Sequence, residues 1–205
     1  LTIHLKHLRR LNKQMANKVK YGLSRCYYAL FNESAGTYGA PAQLPGAVSL
    51  SLEQQGETTP FRADNIDYWT SVSNNGYEGD LELALIPDAF LKDIMGEVSD
   101  TTTGLQYEVA TAQPKAFALL FQFEGDDKAT RHVMYNCKAS RPSVGSETTP
   151  DGAIEPQTET ISIKASARPS DNIVKAKCKD GDTCYANFFS AVVLPSAAQT
   201  STATS

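Results

Sequence analysis

Apolar and polar residues alternate along most of this chain, and the alternation predicts strands. Val48, Leu50 and Leu52 fall on one face of an Ala47–Glu53 segment, with Ser49, Ser51 and Glu53 on the other. A period of two is what a sheet with one buried face requires. Ile66, Tyr68 and Thr70 alternate with Asp67, Trp69 and Ser71. From Tyr77 to Ile86, Leu81, Leu83 and Leu85 share one face and Asp80 and Glu82 stand on the other. Further strands are predicted at Cys26–Phe31, Leu105–Ala110, Ala116–Phe123, Thr130–Lys138, Thr158–Ala167, Ile173–Cys178 and Thr183–Val193.

Turn residues separate these runs. Asn74-Asn75-Gly76 and Glu124-Gly125-Asp126-Asp127 predict chain reversals, and Asp180-Gly181 centres a final hairpin. Long loops are expected at 32–46, 54–65 and 139–156, where Gly, Pro and polar residues cluster. One segment has a different period. Pro87 and Asp88 open a short helix with Asp88 as N-cap; Phe90, Leu91, Ile94 and Met95 share a face, and Gly96 stops it. A single one-faced helix needs a sheet to cover. The expected fold class is therefore mainly β: a β-sandwich or partly open barrel with one flanking short α-helix.

Length then sets the organisation. At 205 residues the chain suits one domain, placed at 15–194. Residues 195–205 are rich in Ser, Thr and Ala with no charged side chain and read as a disordered tail. Residues 1–14 carry four basic groups and no acid, with Leu5, Leu8 and Leu11 spaced every third residue. They read as a basic helix, a targeting segment or, since Met15-Ala-Asn-Lys resembles a translation start, a non-native or disordered extension. No apolar run reaches the roughly 18 residues a membrane span needs.

Charge narrows the function. Residues 53–100 contain eleven acids against Arg62 and Lys92. A body of that sign does not attract phosphate. From Lys164 to Lys179 the balance reverses, and Lys164, Lys175 and Lys177 form a candidate basic face toward a neighbouring subunit.

The search for chemistry is short. His132 lies inside an apolar-aromatic strand and is read as structural. Nucleophile-elbow, phosphate-loop, dinucleotide and metalloprotease motifs are missing from the sequence. Cys26, Cys137, Cys178 and Cys184 lack paired zinc spacing and are expected as reduced thiols, although Cys178 and Cys184 can face each other across a hairpin. No catalytic residue, cofactor or metal is assigned.

Four motifs carry a resemblance: N-K-V-K-Y-G-L at 17–23, T-Y-G-A-P with L-P-G-A-V-S-L-S-L-E within 37–53, A-D-N at 63–65, and N-G-Y-E-G-D-L-E-L-A-L-I-P at 75–87. In their order and spacing the chain resembles the major tail protein (tail tube) family of long, non-contractile-tailed bacteriophages. The resemblance implies a structural virion protein that self-assembles into hexameric rings stacked as the tail tube. It implies a tape-measure protein inside the tube, tail terminator and distal tail proteins at its ends, and double-stranded DNA passing through without specific binding. Localisation is then the virion tail, with assembly in the host cytoplasm. On this reading Asp80 and Glu82 are candidate lumen acids. Tyr38, Gly39, Pro41, Pro45, Gly46, Asp64, Asn65, Tyr77 and Gly79 are candidate assembly-loop and motif residues. The alternative reading is a β-sandwich adhesin or receptor-binding module of a virion or cell surface.

Overall fold

The computed structural model describes residues 17–148 and 156–195. The proposed extension at 1–14 and nearly all of the proposed tail at 195–205 lie outside them. Thirteen strands form among the described residues. They are β1 (Lys20–Asn32), β2 (Thr37–Tyr38), β3 (Ala42–Leu44), β4 (Ala47–Gln54), β5 (Thr58–Ala63), β6 (Ile66–Val72), β7 (Tyr77–Leu83), β8 (Val98–Ser99), β9 (Gln106–Tyr107), β10 (Phe117–Gly125), β11 (Thr130–Ala139), β12 (Glu159–Ser166) and β13 (Lys175–Cys178).

Nine strands make one sheet in the order β2-β1-β10-β11-β12-β7-β4, with β3 beside β1 and β13 beside β11. The pairings are antiparallel. The sheet curls without closing. Its β12-β7-β4 half supplies Ile161, Ile163, Leu81 and Leu83 to the same core that receives Cys26, Tyr28, Phe117 and Leu119 from β1 and β10. That is the sandwich-like, partly open β arrangement expected from the alternation.

The short helix covers this core. One α turn, Asp88–Phe90, continues as a π-helical segment, Leu91–Met95. Phe90, Ile94 and Met95 are buried, and Phe90 meets the rings of Tyr28 and Phe117 edge-on at 5.1 and 5.6 Å. Gly96 ends the helix in the left-handed region, φ 80°, as expected. The N-cap is different: Pro87 occupies it with extended backbone, and Asp88 is the first helical residue. A carboxylate in the first turn is still favourable toward the helix dipole.

A second apolar cluster lies on the opposite face of β1, β10 and β11. Ala29, Leu120, Val133 and Tyr135 are covered there by Tyr185, Phe188 and Phe189. The predicted Thr183–Val193 strand is instead a succession of turns. Its aromatic residues pack by their faces: Arg131 is buried between the rings of Tyr185 and Phe189, 3.7 and 5.0 Å from their centroids. Cys178 and Cys184 are joined in a disulfide that ties this cover to β13, so these two are not the reduced thiols expected; Cys26 and Cys137 are free and buried.

The largest difference from expectation lies at 54–76. Asn74-Asn75-Gly76 does not reverse the chain. Gln54 pairs with Tyr77 and Thr58 with Val72, and the gap is bridged by Gln55 N–H to Gly76 O and Ser73 N–H to Glu57 O, both 2.9 Å. Residues 47–83 are therefore one long hairpin, and β5 runs through the predicted 54–65 loop. The reversal falls at Asp64-Asn65, both left-handed at φ 52° and 61°. This is the backbone that a two-residue turn of the hairpin-favouring hand demands.

Smaller corrections have local causes. A register shift between Ala47 and Ser49 takes Val48 out of alternation and leaves it exposed. Strand β7 stops at Leu83, so Leu85 is exposed while Ile86 is buried. The predicted Leu105–Ala110 strand is reduced to β9, whose one partner is the two-residue β8.

Candidate assembly surfaces

The outward face of the β12-β7-β4 half is built by alternation. With Leu81 and Leu83 inward, Glu78, Asp80 and Glu82 must point outward along β7. Register places Thr160, Ser162 and Lys164 on one side of them and Ser49, Ser51 and Glu53 on the other. The flanking hydroxyls donate to the acids: Ser162 Oγ to Asp80 at 2.6 Å, Ser49 Oγ and Thr158 Oγ1 to Glu82 at 2.8 and 2.6 Å. The Thr158 and Ser49 hydrogen bonds hold the Glu82 carboxyl below its ordinary pKa. The result is a ridge of three carboxylates, of which Asp80 and Glu82 stand between hydroxyls and Glu78 beside Lys164. Asp80 and Glu82, singled out from sequence, stand together on it.

Beyond this face the hairpin extends as β5 and β6, which among the described residues pair only with each other. The arm is apolar and uncovered. Phe61 and Trp69 are each 60 % exposed, Tyr68 68 % and Val72 69 %. Near the tip Arg62 and Asp67 form an exposed ion pair at 3.3 Å. Asp64 and Asn65, two of the predicted motif residues, are the tip. Strand β4 ends the sheet path, so among the described residues no strand pairs with its outer backbone edge.

Other motif residues shape the path into this hairpin. Tyr38 is half-buried, and its hydroxyl donates to the Tyr135 carbonyl at 2.8 Å. Gly39 N–H donates to Leu30 O at 2.9 Å, holding the loop to the end of β1. Pro41 lies just before β3, and Pro45 and Gly46 turn β3 into β4. Gly46 has φ 75° and accepts from Ala84 N–H. Gly79 pairs with Leu52 and Ile163, and a Cβ there would lie 1.9 Å from the Ser51 carbonyl oxygen. Tyr77 accepts a hydrogen bond from Lys175, whose ammonium lies 4.3 Å from the ring centroid.

The basic face predicted from Lys164, Lys175 and Lys177 is divided. Lys164 lies 3.6 Å from Glu78 and Lys175 is held by Tyr77, both beside β7. Lys177 stands opposite His132 and opens into a separate cleft with Lys179, Lys128, Lys20 and Lys18. Sequence reasoning missed this cleft because its lysines come from three distant segments.

Burial holds His132, Cys26 and Cys137 in their neutral forms. Burial, then Lys177, Lys175 and Lys20, lowers the pKa of His132 to about 4, and its ring stacks on Phe121 at 5.3 Å. Burial pushes the Cys26 and Cys137 thiols up to about 12. Cys178, Asp182 and Cys184 bring their donor atoms within 4.8 Å, but both sulfurs are spent on the disulfide and the set does not fit a metal. Among the described residues no helix is long and apolar enough to cross a membrane.

A family model described as phage tail tube protein matches residues 16–188. The chain belongs to the phage tail tube protein family. It is thereby a structural component of a phage tail, as the motifs at 17–87 imply. A comparison with curated proteins returns no match. Among solved structures, the tube-terminating cap of an anti-feeding prophage is similar at 10 % identity, covering 82 % of this chain and 98 % of that one, with a TM-score of 0.44.

Proposed function

We propose that this chain is the repeating subunit of the tail tube itself. Copies join into hexameric rings, the rings stack, and DNA leaves the capsid through the lumen. The subunit does this without catalysis, and 15–194 acts as one assembling domain. The observation that carries the reading is the 47–83 hairpin: one element presents an acidic, hydroxyl-flanked face, an open strand edge and an uncovered aromatic arm.

Each feature has a physical use in a tube. An unpaired edge adds strands from a neighbour. Joined around a ring, the β12-β7-β4 halves form a wall whose acids face the lumen. Carboxylates repel phosphate, so DNA slides past without adhering. The aromatic arm is covered by adjacent copies. The tube is assembled in the host cytoplasm around a tape-measure protein, meets terminator and distal tail proteins at its ends, and resides in the virion.

The test is charge reversal on the ridge. Asp80→Lys with Glu82→Lys should leave tubes that assemble but slow DNA ejection. Wild-type ejection from particles carrying both lysines would remove these acids from the lumen.

A further inference from the structure

A cleft of about 500 Å³ opens at one end of the sandwich, where β1 begins, β10 turns into β11 and β13 ends. Asn17 fixes its wall: the side-chain carbonyl accepts from Asp127 N–H at 3.2 Å and Lys128 N–H at 3.0 Å, tying the start of the domain to the β10–β11 turn. Phe123, the last core-facing side chain of β10, and His132 of β11 form the floor, with ring centroids 5.2 Å apart. A volume of this size suits one small molecule.

Three separate segments bring five ammoniums to this cleft: Lys18 and Lys20, Lys128, and Lys177 and Lys179. Lys20 lies 4.9 Å over the Phe123 ring, and Lys177 stands opposite His132 in the ladder. Burial, then Lys177, Lys175 and Lys20, lowers the pKa of His132, so lysines from two strands act on one ring. The acids nearby are mostly engaged. Glu124 accepts from Ser24 and Gln122 on the other face of β10, where Gln122 meets buried Arg131. Asp126 accepts Lys18 N–H at 2.8 Å, and Asp180 lies 3.9 Å from Lys128. Asp127 is the remaining acid of the lining, and Lys175 is held by Tyr77. Among the described residues Lys18, Lys20, Lys177 and Lys179 form no ion pair.

We propose that this cleft binds a small polyphosphate anion, an inorganic polyphosphate or the phosphate chain of a nucleotide, held by Lys20 and Lys177 over the Phe123–His132 floor. Lysines converging from several directions are point charges that suit phosphate oxygens. The counter-charge has to be compact, because all five side chains line one small cleft. A terminal phosphate brings a charge of about −1.5 to −2 and three acceptor oxygens, more than the single charge of a carboxylate. The chain's own ends do not supply it, since 1–16 has no acid and 196–205 no charge. The proposal concerns a single folded copy and is independent of the tail-tube reading.

The experiment titrates the full chain with sodium tripolyphosphate in about 0.1 M salt, by calorimetry and by NMR of the His132 ring. One anion should bind per chain and move the His132 resonances. Lys20→Ala with Lys177→Ala should weaken binding about tenfold or more, the effect of losing charge-assisted hydrogen bonds. Lys115→Ala with Lys138→Ala removes the same charge from exposed positions at the far end of β10 and β11. That pair lies beyond the screening length and should change affinity by less than about twofold. ATP should bind and adenosine should not: equal affinity for ATP and tripolyphosphate assigns the site to the phosphate chain alone, and tighter ATP adds the base on the aromatic floor. Equal weakening by the two double variants, or equal binding of tetraglutamate or adenosine, overturns the proposal. So does a wild-type chain whose His132 resonances stay in place under tripolyphosphate, a result that needs no variant to fold.

Discussion

Phe61 and Trp69 stand directly opposite each other on β5 and β6, and both rings are more than half exposed. A cross-strand aromatic pair contributes about 0.2–1 kcal/mol to local pairing. An isolated two-stranded hairpin is marginal in water. The pair therefore stiffens the arm but leaves its apolar surface for another molecule.

Replacing both residues, Phe61→Ser with Trp69→Ser, should leave domain stability within about 0.5 kcal/mol, as for other surface changes. Self-association should fall sharply. Urea unfolding and sedimentation separate the two effects, and unchanged association of a folded double variant contradicts the role given to the arm.

Gly79 admits no side chain without movement of the β4 backbone. A Cβ at 1.9 Å from the Ser51 carbonyl must push the two strands apart. Gly79→Ala should destabilise the domain by about 1–3 kcal/mol, the range for overpacking. Chemical denaturation checks this, and a melting temperature equal to wild type would contradict it.

Sequence patterning reveals the strands that bury one face and the helix that covers them. It fails where burial is weak. The β5 segment is exposed throughout or nearly so, and no alternation of buried positions marks it as a strand. Its signal was the turn: Asp64-Asn65 joins two pairing runs, whereas Asn74-Asn75-Gly76 has a competing use in the crossing of a long hairpin. Gly76 is needed there because a Cβ would meet the Ala165 carbonyl oxygen at 2.0 Å. At 183–193 the apolar run is genuine, but its partner is the buried Arg131 and the face of β11, so it packs without joining the ladder. Asp80 and Glu82 were found together because neighbours of one strand share a face by parity. The five lysines of the cleft were not, because only tertiary pairing brings 18–20, 128 and 177–179 together.

The Cys178–Cys184 bridge closes a short loop, sequence separation 6. Chain-entropy arguments give such a closure about 2 kcal/mol. Cys178→Ser with Cys184→Ser should lower stability by about that amount in urea and loosen the cover carrying Phe188, seen as faster amide exchange in 179–193. No change in either measurement contradicts the bridge.

His132 makes stability depend on acid in a defined window. Its folded pKa, about 4, lies below the ordinary 6.5. As pH falls below 6.5 the unfolded chain takes up a proton that the folded chain refuses, so stability is lost down to about 4. Glu82, Asp100, Glu124 and Asp171 have lowered pKa values and act at lower pH. Compared with wild type, His132→Gln should show a flatter stability profile between pH 6.5 and 4. Parallel profiles in that window would contradict a neutral, half-buried imidazole.

Electron microscopy of the purified protein at high concentration tests the central claim most directly. The account predicts six-fold rings and stacked tubes, with β4 edges joined between neighbours and Glu78, Asp80 and Glu82 lining the lumen. A protein that remains monomeric at every concentration, or rings with this acidic ridge on the outer wall, would contradict it.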